Sequence, residues 1–181
     1  DVSPAEDRWR MVCAATAQDG ALTPCRLELE RQGVIYTVDT LRQLRDKHPK
    51  AELYYIIGAD TLLELQHWRD YRQVLGMCTF LVCPRVGAAS PAELTGERRR
   101  LTALGGRFIT VDMEPVEVSS TAVRQQLLAG EPVPGLPVVC REYADLRGLY
   151  GQSARLPEAE KRLSRLFADL TPKRFAHSLA V

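Results

Sequence analysis

Ser119-Ser120-Thr121, followed a turn later by Arg124, is the segment best suited to holding an anion. Three hydroxyls at a helix start lie beside free backbone N–H groups and the positive end of the helix dipole. An arginine three or four residues on reaches over the same opening and grips phosphate oxygens as a fork. No Glu or Gln occupies the third helical position, so a capping box does not plug the opening. Ordinary capping with a surface arginine explains these residues equally well. Gly58-Ala59-Asp60 follows the apolar run Leu53-Tyr54-Tyr55-Ile56-Ile57. A glycine there admits a ligand to the backbone, and the aspartate can accept two hydrogen bonds from a ribose diol; a turn glycine with a helix-capping aspartate is the simpler explanation. In His67-Trp68-Arg69-Asp70-Tyr71, Trp68 offers a face to a flat ring and Arg69 a partner for a carboxylate, although a tryptophan more often serves packing. Tyr36-Thr37-Val38-Asp39-Thr40 reads as a helix start with Thr37 as N-cap. Arg85 follows the apolar run Thr79–Cys83 at another strand end, within reach of a phosphate or simply at the surface.

The elements that must position these residues alternate. Ser3-Pro4-Ala5-Glu6 predicts a helix start with Ser3 as N-cap, the helix running to about Gln18. A short strand is expected at Arg26–Glu30 and a helix at Val38–Lys47. Strands then follow at Leu53–Ile57, Thr79–Cys83 and Phe108–Val111. Helical stretches come between and after them, at Leu62–Leu75 (broken near His67), Pro91–Leu104, Thr121–Ala129 and Pro137–Arg147. In Pro91–Leu104 the run Arg98-Arg99-Arg100 is read as a solvated face. Short, nearly continuous apolar strands separated by helices predict an α/β domain with a doubly wound, mostly parallel sheet. Such sheets bind ligands beyond the carboxyl ends of their strands. After Gly151 the pattern changes to two helical segments, Pro157–Leu170 and Pro172–Val181. The organisation expected is therefore a domain over residues 1–151 and a short helical segment over 152–181. Folds of this class open with a central strand and its phosphate-binding turn, whereas this sequence opens with a helix. The domain is accordingly expected to be incomplete at its N-terminus.

Composition narrows the function. The 181 residues carry a net charge of +1, which gives no general attraction to nucleic acid or to an acidic membrane surface. No apolar run approaches the roughly 20 residues that span a bilayer, and the first residues lack the pattern of a signal peptide. The five cysteines include no C-x-x-C pair, so they are expected to be reduced and mostly buried, in a cytoplasmic protein. The three histidines, His48, His67 and His177, are scattered, which argues against a zinc site.

Taken in order, the motifs resemble one family, the bacterial nicotinate-nucleotide adenylyltransferases. Glu28-Leu29-Glu30-Arg31-Gln32-Gly33-Val34-Ile35-Tyr36-Thr37-Val38-Asp39-Thr40-Leu41 is similar to its E-x-x-R-x-G-x-S-Y-T-x-D-T-L signature, with Ile35 in place of serine. Ile56-Ile57-Gly58-Ala59-Asp60 resembles I-I-G-x-D, and Trp68 matches a tryptophan that frames the pyridine pocket. Pro84-Arg85-Val86-Gly87 resembles an R-P-G segment with Val86 in place of proline, and Val118–Arg124 resembles I-S-S-T-x-x-R. Arg8 and Met11 are similar to an early R-x-x-M, and Arg147–Tyr150 to a closing N-G-L-Y. The likeness runs from Asp1 to about Gly151.

This resemblance implies a Rossmann-like nucleotidyltransferase that joins ATP, with Mg²⁺, to nicotinate mononucleotide and releases pyrophosphate. Tyr36, Thr37, Trp68 and Arg69 would face the mononucleotide. Gly58 and Asp60 would hold a ribose. Arg85, Ser119, Ser120, Thr121 and Arg124 would meet the nucleotide and its phosphates. The family's G-x-F-x-P-x-H-x-G-H motif, whose histidines steady the reacting phosphates, does not occur between Asp1 and Val181. No catalytic residue is therefore identifiable, and these residues alone are expected to be nearly inactive. The rival readings are a non-catalytic nucleotide-binding remnant and another adenylyltransferase of the same fold, such as one acting on pantetheine phosphate. Lys173–Val181 is similar to the start of an HD-domain phosphohydrolase, in which His177 would be the first metal ligand.

Overall fold

Apolar runs bounded by breakers become the strands. The computed structural model describes residues 3–17, 19–87 and 89–151. They fall into two units, one formed by Glu30–Glu117 and the other by residues from both ends of the chain. Residues 152–181, with His177 and the expected C-terminal helices, lie outside the described residues.

The middle unit is built on three strands, β1 (Tyr54–Gly58), β2 (Thr79–Cys83) and β3 (Arg107–Thr110), in the order β1-β2-β3. Both pairings are parallel, with Ile57 opposite Val82 and Val82 opposite Thr110. This is the parallel α/β arrangement expected. Its helices are α2 (Thr37–Lys47), α3 (Ala59–Glu64), α4 (Tyr71–Met77) and α5 (Pro91–Ala103). Side chains alternate across a strand, so Ile57, Phe80 and Val82 point to the helices and join Val38, Leu41, Leu62, Leu65, Val74, Leu75, Cys78 and Leu101 in one buried cluster. Phe80 stacks on Phe108 with ring centroids 5.2 Å apart. The alternate row is open: Ile56 is 69% exposed and Ile109 50%.

The expected break near His67 is present. A single 3-10 turn, Leu65–His67, follows α3, and Asp70 adopts a left-handed conformation (φ 51°) before α4 begins. Asp tolerates that region better than most residues, and the turn leaves Trp68 and Arg69 outside any regular element. One start in this unit differs from expectation and another, at Pro91, agrees with it. Tyr36, rather than Thr37, is the N-cap of α2, and Thr37 is its first helical residue. At α5 a full capping box forms between Ser90 and Glu93.

The end unit contains α1 (Ala5–Thr16), α6 (Ser120–Ala129) and α7 (Val138–Leu146). Ser3 does not cap α1: Pro4 holds the cap position, and the Ser3 hydroxyl lies 3.1 Å from Tyr150 Oη instead. The strand expected at Arg26–Glu30 is also absent. Leu27–Glu30 form a turn, closed by Leu29 N–H donating to Arg26 C=O at 2.9 Å. The Arg26 side chain leaves the segment to bind Glu6 at 2.6 Å and to cover the Trp9 ring, so its alternating pattern reflects contacts with α1 rather than a sheet. Helix α6 ends at Gly130, whose positive φ of 73° is a conformation glycine adopts without the Cβ penalty.

Candidate functional site

Strand β1 ends in Gly58, and Asp60 lies in the first turn of the helix that follows. The Asp60 carboxylate folds back over the glycine. A Cβ at position 58 would lie 2.4 Å from Asp60 Oδ1, so any other residue there must push the carboxylate aside. Arg85, just past the end of β2, donates from Nη1 to Asp60 Oδ2 at 2.9 Å. Strand pairing explains the meeting, since Gly58 lies opposite Cys83 and both chains leave the sheet at the same edge. Asp60 Oδ1 is buried and accepts no hydrogen bond. Buried carboxylate oxygens are costly to leave unpaired, so this atom is free to accept a further donor.

A second cluster forms where α3 gives way to α4. The Arg69 guanidinium lies over the Tyr36 ring, 4.4 Å from its centroid. Trp68 is half-buried and meets Tyr55 edge-on at 5.8 Å, so its ring both packs and remains partly open. Thr37 begins the helix directly after Tyr36. Arg31, the arginine of the signature segment, donates to Thr40 Oγ1 and braces the first turn of α2. Residues gathered from separate segments, Tyr36 with Arg69 and Asp60 with Arg85, are thus brought together within the middle unit.

The third group belongs to the end unit. Ser119 caps α6, its Oγ accepting from Ala122 N–H at 3.1 Å, while its own hydroxyl proton stays available to a ligand. Ser120, Thr121 and Arg124 are exposed. Ser119, Ser120 and Thr121 therefore differ in duty: Ser119 shapes the helix start, and the next two present hydroxyls on its first turn.

A cavity of about 310 Å³ opens beyond the carboxyl ends of β2 and β3, with Leu62, Val82 and Leu94 in its wall and Arg98 and Thr110 at its edge. Arg98 Nη1 donates to Thr110 Oγ1 at 3.2 Å. Arg98, Arg99 and Arg100 are exposed, as a solvated face requires, but that reading did not foresee the Arg98 contact or the bonds of Arg100 to Glu97 and Gln66. The available signal was Thr110 itself, a hydroxyl at a strand's carboxyl end. Among the described residues, no group of three His, Cys, Asp or Glu side chains converges as a metal site. His67 pairs with Glu64 at 2.9 Å. Of the five cysteines, Cys78 and Cys140 are buried, Cys13 and Cys83 half-buried and Cys25 exposed, so burial is less general than expected. Desolvation pushes the Cys78 thiol up to about 11. No helix among the described residues is long and apolar enough to cross a membrane.

Comparison with known proteins shows the family and the fold. Residues 1–126 match the family model described as cytidylyltransferase-like. A Nocardioides sp. protein named "Probable nicotinate-nucleotide adenylyltransferase" is 39% identical over 133 residues, covering 74% of this chain and 62% of that protein. A Corynebacterium jeikeium protein of the same name is 36% identical over 155 residues, covering 84% of this chain and 78% of that protein. The chain thus spans about three fifths of the first relative's length and about three quarters of the second's. Among solved structures, Plasmodium falciparum nicotinic acid mononucleotide adenylyltransferase complexed with NaAD superposes with a TM-score of 0.52 at 14% identity, covering 66% of this chain and 59% of that one. At that identity the likeness concerns the fold, which is that of a Rossmann-like nucleotidyltransferase. The chain belongs to the nicotinate-nucleotide adenylyltransferase family, within the cytidylyltransferase-like group.

Proposed function

We propose that this chain supplies most of the substrate-binding surface of an enzyme that transfers the adenylyl group of ATP to nicotinate mononucleotide. In that reaction a phosphate oxygen of the mononucleotide attacks the α-phosphorus of ATP. The bond from that phosphorus to the bridging oxygen breaks, and pyrophosphate leaves with the electron pair. Positioning and charge stabilisation account for most of the catalysis in such transfers. The observation that carries the reading is the buried, donorless Oδ1 of Asp60 beside Gly58, at the carboxyl edge of a parallel sheet. A ribose diol supplies the missing donors.

Trp68, Tyr36, Thr37 and Arg69 form the acceptor pocket in this reading. Trp68 and Tyr36 offer faces to the pyridine ring, and Arg69 moves from the Tyr36 ring to the nicotinate carboxylate. Ser120, Thr121 and the amides at the start of α6 hold ATP phosphates, with Arg124 closing over them. Mg²⁺ enters as the MgATP substrate. Such an ion keeps phosphate oxygens and waters as most of its ligands, which is compatible with a chain whose described residues offer no carboxylate cage. The histidines that steady the phosphates belong to the G-x-F-x-P-x-H-x-G-H motif, which none of these residues forms. The likeness of Lys173–Val181 to an HD domain supports a separate proposal, metal binding through His177; an encoding sequence without a later His-Asp pair would remove it.

The test is an assay with nicotinate mononucleotide, ATP and Mg²⁺, run on the 181 residues alone and on the same residues joined to that motif. The joined protein should form the dinucleotide and pyrophosphate, and the 181 residues should be nearly inactive. Full rates from the latter would refute the role given to the motif, while preference for pantetheine phosphate would overturn the acceptor assignment. In the joined protein, Arg69→Ala should raise KM for nicotinate mononucleotide by about tenfold, the loss of one charge-assisted contact, with KM for ATP unchanged. Equal effects on both substrates would remove Arg69 from the acceptor pocket.

A further inference from the structure

Glu97 and Arg100 lie a turn apart on α5, and the carboxylate takes the guanidinium at two points, Nε at 2.8 Å and Nη2 at 2.6 Å. The pair is partly withdrawn from solvent, with the Glu97 side chain 16% exposed. A two-point bond fixes the plane of the guanidinium as well as its position. Arg100 in turn holds the Glu97 carboxyl below the usual carboxylate range. Oriented in this way, the guanidinium reaches beyond its own helix. Nη2 donates to Gln66 Oε1 at 3.1 Å, on the 3-10 turn that precedes Trp68. On the far side of Trp68 and Arg69, the Tyr71 hydroxyl accepts from Arg72 Nε at 3.4 Å and also engages the Arg100 guanidinium.

Between these two contacts the chain leaves regular structure and passes through the left-handed Asp70. Its backbone bonds, Trp68 N–H to Leu65 C=O and Tyr71 N–H to Trp68 C=O, set the local turns. Bonds within a segment give it a shape but do not fix where that shape sits against a neighbouring helix. We propose that Arg100 is a positioning residue for the acceptor pocket: from α5 it holds Gln66 and Tyr71, and so sets the place of Trp68 and Arg69 between them. A misplacement of about 1 Å at binding groups is costly. The role given to Arg100 rests on Trp68 and Arg69 facing the mononucleotide, and the experiment tests the two separately.

Nicotinate mononucleotide and ATP are titrated separately into the 181-residue chain and its variants, the Trp68 indole N–H being followed by NMR and assigned against Trp68→Phe. Arg100→Met keeps the apolar stem and removes the donors. It should weaken nicotinate mononucleotide by about threefold to fivefold, within the worth of an exposed ion pair or hydrogen bond. It should also shift the Trp68 indole signal of the free chain and leave ATP affinity unchanged. A merely structural role would weaken both ligands. Equal weakening of both, or an unchanged affinity for the mononucleotide, overturns the proposal. Gln66→Ala should reproduce part of the loss in the wild type and none of it in the Arg100→Met background, because residues that act through one contact are not additive. An undiminished effect in that background would again overturn it. Should Arg100→Met fail to fold, Gln66→Ala alone must weaken the mononucleotide and spare ATP, and an unchanged affinity would sink the role. Arg69→Ala should weaken the mononucleotide by about tenfold. If it does and Arg100→Met does not, only the brace is wrong; if neither changes the affinity, the acceptor assignment fails and the role of Arg100 with it.

Discussion

A methyl group at position 58 would stand 2.4 Å from Asp60 Oδ1, and the atom it meets is the tip of a side chain that can swing away. The backbone has no need to move, so Gly58→Ala should cost under about 1 kcal/mol of stability, within the range of mild substitutions. Function should respond differently. The displaced carboxylate loses both its place over the strand end and its register with Arg85, and misplacement of about 1 Å at a binding group is costly. The expected outcome is a nearly unchanged urea midpoint together with an ATP affinity lowered by about tenfold. A large stability loss would mean that the glycine serves packing. Arg124→Ala in the motif-complete protein should weaken ATP use by about 1.5–3 kcal/mol, the range for hydrogen bonds to charged groups, and an unchanged kcat/KM for ATP would remove it from the phosphate site. At this scale the sequence named residues that the structure brings to one sheet edge, but not their pairings. Gly58, Asp60 and Arg85 were each legible as strand-end residues. That Arg85 lies against Asp60 depends on the register of β1 with β2, which no local pattern encodes.

Helix α6 shows how far local chemistry determines an element. A serine before the helix and a glycine after it set its ends, and the structure places the cap at Ser119 and the left-handed stop at Gly130. Ser119→Ala should therefore cost about 1 kcal/mol of stability through loss of the bond to Ala122 N–H, whereas Ser120→Ala and Thr121→Ala should change the urea midpoint very little. All three should weaken ATP binding if the helix start holds phosphate. A Ser120→Ala protein with full ATP affinity would exclude that hydroxyl. Strands β1 to β3 were legible for a related reason, because apolar runs closed by glycine or proline have few alternatives in a parallel sheet. The failures came where a side chain had a more distant partner. Ser3 has a cap's identity but bonds Tyr150, and Arg26 turns to Glu6 and Trp9 rather than joining a strand. Propensity describes an isolated segment, and these two residues are governed by contacts far along the chain.

A buried long-range contact lies in the end unit. Asp7 is 4% exposed and is the buried charged residue among those described. Its Oδ1 accepts from Tyr143 Oη at 2.6 Å and from Arg147 Nε at 3.1 Å, tying α1 to α7 across 136 and 140 residues of sequence. Nothing in the local pattern of either helix announces this, since Asp7 reads as a first-turn acid and Tyr143 as one apolar position of an amphipathic stripe. Burial first, and then the bond to Asp7, push the Tyr143 hydroxyl up to about 12. The sign follows from linkage. Tyr143 is neutral while protonated, and its folded pKa lies above the ordinary value of about 10. Its contribution is therefore complete below about pH 10 and is lost as pH rises through about 12, about 3 kcal/mol in all. Urea midpoints of the wild type and of Tyr143→Phe, measured from pH 8 to pH 11.5, isolate this group from other titrations by difference. At pH 8 the variant should be less stable by about 1–3 kcal/mol, because Asp7 keeps Arg147 but loses a buried donor. As pH rises the gap should close, the wild type falling toward the variant. A gap constant across that range would mean that Tyr143 ionises as it would in water, and the tie between the two ends of the chain would then rest on Arg147 and apolar packing.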